Sequence, residues 1–101
     1  MFRNNFEGKK ELVKELSKVY EKMFEHDIKS IELKKYRHKV KGWTNEFVLL
    51  TWTTGAISTA NNNANSLSAT ARNIARMLDG GVYENIDRYK EIMSSEEWEE
   101  M

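Results

Sequence analysis

Three segments of the chain repeat apolar residues at the period of an α-helix. Residues 8–25, 66–78 and 82–93 carry an apolar side chain at every third or fourth position. This spacing is typical of amphipathic helices that bury one face. The predicted buried stripes are Leu12, Leu16, Val19, Tyr20 and Met23 in the first helix, Leu67, Ala71, Ile74, Ala75 and Leu78 in the second, and Val82, Ile86, Tyr89 and Met93 in the third.

The segment between the first two helices has the pattern of β-strands. Residues 28–41 alternate apolar and polar positions, and the parity changes near Lys34-Lys35, which indicates a bulge or a bend. Residues 45–54 are apolar on both parities and rich in β-favouring residues, as in a central strand covered on both faces. A tight turn and a short strand at residues 56–60 follow. The short connections predict a three-stranded antiparallel sheet.

Polar and glycine residues mark the ends of these elements. Asn65 or Ser66 is the expected N-cap of the second helix, and Asp79-Gly80-Gly81 its stop. In the tail, serines before Glu97 have the spacing of a capping box and predict one more helical turn. We therefore predict a single α+β domain over residues 1–101: an N-terminal amphipathic helix, a three-stranded antiparallel sheet and two C-terminal helices.

Composition narrows the class of protein. The 101 residues include no cysteine, which excludes a disulfide scaffold, a thiolate metal site and a cysteine nucleophile. The sequence shows no apolar run long enough for a secretory signal or a membrane span, so we expect a cytoplasmic protein with no membrane association. A small sheet with an open face or edge is often closed by dimerisation, so we also expect a homo-oligomer.

Charge is balanced over the chain and unevenly placed along it. The 16 basic and 16 acidic residues argue against a protein that binds nucleic acid through bulk charge. Residues 29–41 are nevertheless strongly basic, and residues 96–100 are acidic. The basic strand fits either an edge strand guarded by lysines or a second anion surface. The acidic tail fits either neutralisation of that strand in a neighbouring subunit or mimicry of phosphate.

The sequence offers little catalytic chemistry. Its two histidines, His26 and His38, lack a second ligand at metal-binding spacing, and we interpret them as surface residues. No motif joins a serine or threonine nucleophile to a base. Glu46 and Asp79 are the only acidic residues of segment 42–83, and each is interpreted as structural. We predict no catalytic residue, metal or cofactor.

The strongest candidate site lies in the middle of the chain. The run from Phe47 to Ala71 is uncharged, and Arg72 and Arg76 follow it one helical turn apart, where two guanidinium groups can hold one anion. The preceding helix N-terminus favours anions, asparagines suit sugar hydroxyls and base edges, and aromatic faces can stack on a base. The candidate ligand-binding residues are Phe47, Trp52, Asn61, Asn62, Asn63, Asn65, Ser66, Arg72 and Arg76. In the alternative interpretation the aromatic residues belong to the core and the arginines form a solvated helix face.

Part of this region resembles a phage protein family. The motifs are Gly55-Ala56-Ile57-Ser58, Asn63-Ala64-Asn65-Ser66 and, after a helix, Leu78-Asp79-Gly80-Gly81-Val82-Tyr83. They resemble the Thoeris anti-defence sponge proteins, which bind cyclic ADP-ribose signals without cleaving them. The resemblance implies that Phe47 or Trp52 stacks on the ligand, that Asn62 or a neighbour orients it, and that the arginine pair holds phosphates. It also implies dimers that assemble further, in the cytoplasm of a phage-infected host.

These observations lead to one main hypothesis and two alternatives. The main one is a non-enzymatic phage anti-defence protein that sequesters a small phosphorylated signal, of the cyclic ADP-ribose type or a cyclic oligonucleotide. The first alternative is a protein–protein inhibitor, of the anti-CRISPR or anti-restriction type, that presents the acidic tail or the basic strand as a decoy. The second is a small nucleic-acid-binding module centred on residues 34–41.

Overall fold

Three helices and one antiparallel sheet make up the part of the chain that the structure describes. The structure is a computed structural model, and it describes residues 5–63, 66–80 and 86–101. The elements in chain order are α1 (Phe6–Met23), β1 (Ile28–His38), β2 (Thr44–Trp52), β3 (Ile57–Asn61), α2 (Leu67–Gly80), α3 (Ile86–Ser94) and β4 (Trp98–Glu100). The α+β class is as predicted, but the sheet has four strands instead of three.

The fourth strand replaces the helical turn that was predicted for the tail. The strand order is β3-β2-β1-β4, and β4 pairs antiparallel with β1 from Tyr36 to His38. The prediction of a turn was wrong because the tail finds long-range partners. Trp98 packs against the sheet, and Glu99 reaches Arg37, directly opposite it. These contacts favour an extended tail over the local capping box.

The two faces of β2 are both buried, as predicted, and they contribute to separate cores. Val48 and Leu50 face α1 and α2, where Val13, Ile74 and Met77 complete a mainly aliphatic cluster. Phe47 and Leu49 point to the opposite face, which α3 covers. The sheet is thus the middle layer between two helices on one side and one helix on the other.

The second core is built from aromatic rings. Phe47 meets Tyr89 of α3 edge to face, with ring centroids 5.4 Å apart, and Tyr36 meets the same ring at 6.2 Å. Such edge contacts stabilise ring pairs beyond simple burial. Burial, and secondarily the neighbouring Tyr89 and Glu100, raises the pKa of the Tyr36 hydroxyl well above its ordinary value.

Helix α1 only partly buries the stripe that its apolar spacing predicts: Leu16 and Tyr20 pack against the core, but the most buried face is turned away from Val19 and Met23. Val19 is 52% exposed and Met23 64%, while the buried positions are Lys9, Val13 and Ser17. The prediction was wrong at this point because a polar residue lies in the buried face: Lys9 meets a buried carboxylate on β2.

Helices α2 and α3 show similar, smaller departures. In α2 Leu67 and Ala75 are exposed, while Thr70, Ile74 and Met77 are buried. In α3 Met93 is exposed and Ile92 takes the core position. Val82, predicted to begin this helix, lies outside the described residues. None of the helices within the described ranges is both long and apolar enough to cross a membrane.

Candidate functional site

A buried ion pair lies beneath the asparagine-rich segment. Lys9 Nζ, in the first turns of α1, is 2.7 Å from Glu46 Oε2 on β2, and the two side chains are 2% and 4% exposed. A charge removed from water is costly unless it is paired and hydrogen-bonded. Glu46 therefore has the structural role that was predicted for it, with Lys9 as its cation.

Asn62 joins this ion pair to helix α2. Its amide nitrogen donates to Glu46 Oε2 at 2.8 Å and to Thr70 Oγ1 at 3.0 Å. Its amide oxygen accepts from Asn73 Nδ2 at 2.7 Å. Asn62 is 1% exposed, so its side chain is a buried connector. The prediction that it contacts a ligand directly was wrong, because its hydrogen-bonding groups face inward.

Asn73 carries the network to the surface. Its Nδ2 donates both to Asn62 Oδ1 and to the backbone oxygen of Asn61, at 3.2 Å, which leaves Oδ1 to accept from Arg76 Nη2 at 3.1 Å. Because both ends of the amide have assigned partners, only one orientation of the group satisfies them all. We name Lys9, Glu46, Asn62, Thr70 and Asn73 the polar core. It ends at the exposed guanidinium of Arg76.

The start of α2 lies beside this network. Ser66 caps the helix, since its Oγ accepts from Ala69 N at 3.3 Å. Arg72 is exposed, and its side chain makes no ion pair or hydrogen bond with any other described residue. Asn63 is exposed as well, although its Oδ1 accepts from Glu46 N at 2.8 Å. Asn65 lies outside the described residues.

The predicted aromatic platform is not part of this site. Phe47 is wholly buried in the aromatic core, so its predicted stacking role was wrong. Trp52 lies at the other end of β2, about 16 Å along the strand from the position opposite Asn61. Its indole N–H donates to Ser58 Oγ at 2.9 Å. The structure therefore does not bring Trp52 to the asparagines.

Sequence reasoning missed several residues that organise the site. Lys9 and Thr70 carry no signal, because each resembles an ordinary polar residue of a helix. Asn73 does carry one: asparagine is a poor helix former in a helix interior, and this one adjoins the buried Ile74. A mid-helix amide beside a core position indicates a side chain with a specific partner.

The acidic tail and the basic strand meet within one chain. Arg37 Nη2 is 2.7 Å from Glu99 Oε1, and Lys34 Nζ is 3.4 Å from Glu100 Oε1. The tail was predicted to act on a neighbouring subunit or a host protein, but these carboxylates are paired with lysine and arginine of the same chain. The same contacts offset two of the positive charges of the basic strand, those of Arg37 and Lys34.

His38 is buried instead of lying on the surface. Its Nδ1 accepts from the backbone N–H groups of Val40 and Lys41, at 3.3 and 3.0 Å, and its Nε2 is 3.2 Å from Glu97 Oε2. The ring packs against Trp98, with centroids 5.2 Å apart. The surface interpretation was wrong for His38 because a hairpin and the tail enclose it, whereas His26 is exposed as predicted.

Comparison with known proteins identifies no relative of this chain. No protein-family model matches the chain, and neither the curated proteins nor the solved structures contain a significant match. Across the described part of the chain, no group of three or more histidine, aspartate or glutamate side chains is placed to hold a metal ion.

Proposed function

We propose that this protein is a non-enzymatic binding protein that sequesters a small phosphorylated, nucleotide-derived signal, as phage anti-defence sponge proteins do. The phosphate is held on the flank of α2 that carries Arg72 and Arg76. The observation that carries the proposal is the hydrogen bond from Arg76 to Asn73, because it anchors an exposed guanidinium to a buried network.

An anchored arginine favours binding of a small anion. A free arginine side chain loses up to about 2 kcal/mol of rotamer entropy when a ligand immobilises it. Asn73 holds Arg76 from one side, and Asn73 is itself fixed by the buried Asn62. Part of this cost is therefore met during folding, which leaves more of the interaction energy for the ligand.

Arg72 supplies the second guanidinium. It precedes Arg76 by one helical turn and carries a charge that no described carboxylate neutralises. Residues four apart on a helix share one flank, so both cations can contact one phosphate or two linked ones. The N-terminal end of α2 and the exposed amide of Asn63 lie toward the same end of the sheet and suit the polar remainder of a nucleotide.

The alternatives lose support from the same contacts. A decoy tail requires free carboxylates, whereas Glu99 and Glu100 are engaged by Arg37 and Lys34. A nucleic-acid module on the basic strand requires free cations, and two of its cations, Arg37 and Lys34, are occupied by these same ion pairs. Binding of a small anion by α2 makes no demand on either segment.

Binding of the two classes of signal is tested by calorimetry and native mass spectrometry. The probes are cyclic ADP-ribose derivatives and cyclic dinucleotides, with ADP-ribose as a linear comparison. We expect Arg72→Gln and Arg76→Gln each to weaken binding by about 1.5–3 kcal/mol, the range for hydrogen bonds to charged groups. Arg88→Gln is the matched control, because Arg88 is an exposed arginine of α3, paired with Glu91. The bound mass should be released unchanged.

A further variant tests the role of the polar core. Asn73→Ala should weaken binding less than Arg76→Gln does, and it should add little when the two are combined, because Asn73 acts through Arg76. The proposal fails if none of the probes binds, if the double variant Arg72→Gln/Arg76→Gln binds like the wild type, or if a probe is returned cleaved.

A further inference from the structure

Part of strand β1 has an open side. β2 pairs with β1 along one side, whereas β4 covers the other side only from Tyr36 to His38. Met101 N extends this cover by donating to the backbone oxygen of Lys35 at 2.8 Å. At the other end of β1 the register shifts between Ile28 and Ser30. Among the described residues, positions 30–34 of β1 therefore form a sheet edge with no neighbouring strand.

The backbone groups on this edge can be assigned by parity. In an antiparallel strand, alternate residues direct both N–H and C=O to the same side. Lys35 bonds on the β4 side, so Ile31 and Leu33 present their N–H and C=O groups to the open side. An unpaired row of this kind is a template for another strand.

A cleft of about 550 Å³ runs between this edge and helix α1. Val13, Ile31 and Leu33 supply its apolar part. Helix α1 lines the cleft with six charged residues; two of them are Lys10 and Glu21, and we name the other four the charge stripe: Glu7, Glu11, Lys14 and Lys18. Its members are three or four residues apart, so they share one flank of the helix. The stripe is acidic in its first half and basic in its second.

The charge stripe and the open edge have nearly the same midpoint. A short turn joins α1 to β1, with Ile28 N donating to Phe24 O, so the two elements run antiparallel. Near the start of α1, Lys9 contacts Glu46, which lies opposite Lys35. One turn on, Val13 packs in the same cluster as Ile31. The middle of the stripe therefore lies level with residues 31–33.

We propose that this surface binds a second copy of the chain, through a two-fold axis that passes close to Glu32. The two β1 edges pair antiparallel, with Ile31 of one copy beside Leu33 of the other, and join the two sheets into one. The same rotation sets the two charge stripes side by side in opposite directions. Glu7 then faces Lys18 of the second copy, and Glu11 faces Lys14.

The charge order favours a second copy over an unrelated peptide. A two-fold rotation reverses the direction of the stripe, so the basic half of one copy faces the acidic half of the other. The charge stripe therefore complements itself, and two-fold symmetry is that of most homodimers. By symmetry each pairing occurs twice, which gives four ion pairs across the interface, set against one repulsion between the two Glu32 carboxylates that lie opposite each other at the axis.

Sedimentation equilibrium of the full chain tests the interface. One variant, Glu7→Lys/Glu11→Lys, has an all-basic stripe, and another, Lys14→Glu/Lys18→Glu, has an all-acidic one. Exposed ion pairs each contribute a factor of roughly 1.5 to 5, so replacing four of them by repulsions should weaken the dimer at least about tenfold. An equimolar mixture of the two variants should form a heterodimer of about wild-type affinity.

A matched control separates the stripe from net charge. Glu25→Lys/Glu96→Lys changes net charge as much as the all-basic variant does, at exposed positions outside the cleft. It should dimerise like the wild type, and amide exchange at Ile31 and Leu33 should slow as protein concentration rises. The proposal is overturned if the wild type stays monomeric, if the stripe variants dimerise normally, if the mixture fails to recover, or if the control is weakened equally.

Discussion

Replacing Lys9 with methionine removes the cation of the buried ion pair and keeps an unbranched side chain. Glu46 would then retain a carboxylate that is 4% exposed, with the amide of Asn62 as its remaining described side-chain partner. Breaking a buried pair by removing one partner costs about 3–5 kcal/mol, because the other charge stays desolvated. Domains of this size have a total stability of about 5–15 kcal/mol. Lys9→Met should therefore lose a large part of the free energy of unfolding.

The paired change should cost much less than the sum of its parts. Glu46→Gln alone leaves the buried ammonium of Lys9 without its carboxylate and should cost a similar amount. In Lys9→Met/Glu46→Gln no charge is buried, and the glutamine oxygen can still accept from Asn62. We expect a coupling energy of at least about 2 kcal/mol between the two positions.

Urea unfolding followed by circular dichroism measures this cycle. With a slope of about 2 kcal/mol per molar urea, each single variant should lower the midpoint by about 2 M. Lys90→Met is the control, since Lys90 is an exposed lysine of α3 outside the polar core and the cleft and should change the midpoint little. The argument is refuted if Lys9→Met stays within about 1 kcal/mol of the wild type, or if the two single effects simply add.

Three further changes test other parts of the fold. Phe47→Ala should cost about 3–5 kcal/mol in the free energy of unfolding, since the ring is wholly buried; normal stability in thermal melts would place it outside the core. Trp98→Ala should detach β4 from β1, and amide exchange at Arg37 should then accelerate; unchanged exchange would show that the strand holds without the indole. Tyr36→Phe tests pH dependence: because the pKa of Tyr36 is raised by folding, its contribution is intact below about pH 10 and is lost above it, by up to about 1.4 kcal/mol per pH unit. The variant should lose less stability than the wild type on going from about pH 9 to pH 11, and equal losses would contradict the assignment.

The elements whose burial is simple were predictable from the sequence. β2 is apolar on both parities, and the structure buries both of its faces. The two helices on either side of the sheet segment were also found, because their apolar residues recur at helical spacing. The local sequence pattern is sufficient to predict these elements, because each of their buried side chains is apolar and needs no specific distant partner.

Elements that depend on distant partners were not predictable. β4 is short and rich in glutamate, and it becomes a strand only because Arg37 and the β1 edge receive it. The rotation of α1 follows from Lys9, whose burial requires a carboxylate 37 positions away in the sequence. The spacing of the hydrophobic residues in α1 therefore could not predict the ion pair or the rotation of the helix.

The candidate site was predictable by position and only partly by role. The sequence marked the asparagine run and the arginine pair, and the structure joins Asn61 and Asn62 to Arg76 through Asn73. It could not distinguish an amide that faces a ligand from one that supports a neighbour, because both use the same donor and acceptor. Nor could it show that Phe47 and Trp52 lie in places unsuited to stacking there.

The division of the sheet into two unlike faces bears on how this sequence can diversify. On the aromatic side, Tyr36, Phe47 and Tyr89 meet through ring edges, and another residue of similar volume can take such a place with a local adjustment. On the other side, Asn62 and Asn73 each satisfy several partners, so a change at one leaves a polar atom exposed to a dry interior. In a randomised library, functional variants should carry single substitutions on the aromatic side. Substitutions of Asn62 or Asn73 should be found only together with compensating changes in their hydrogen-bond partners.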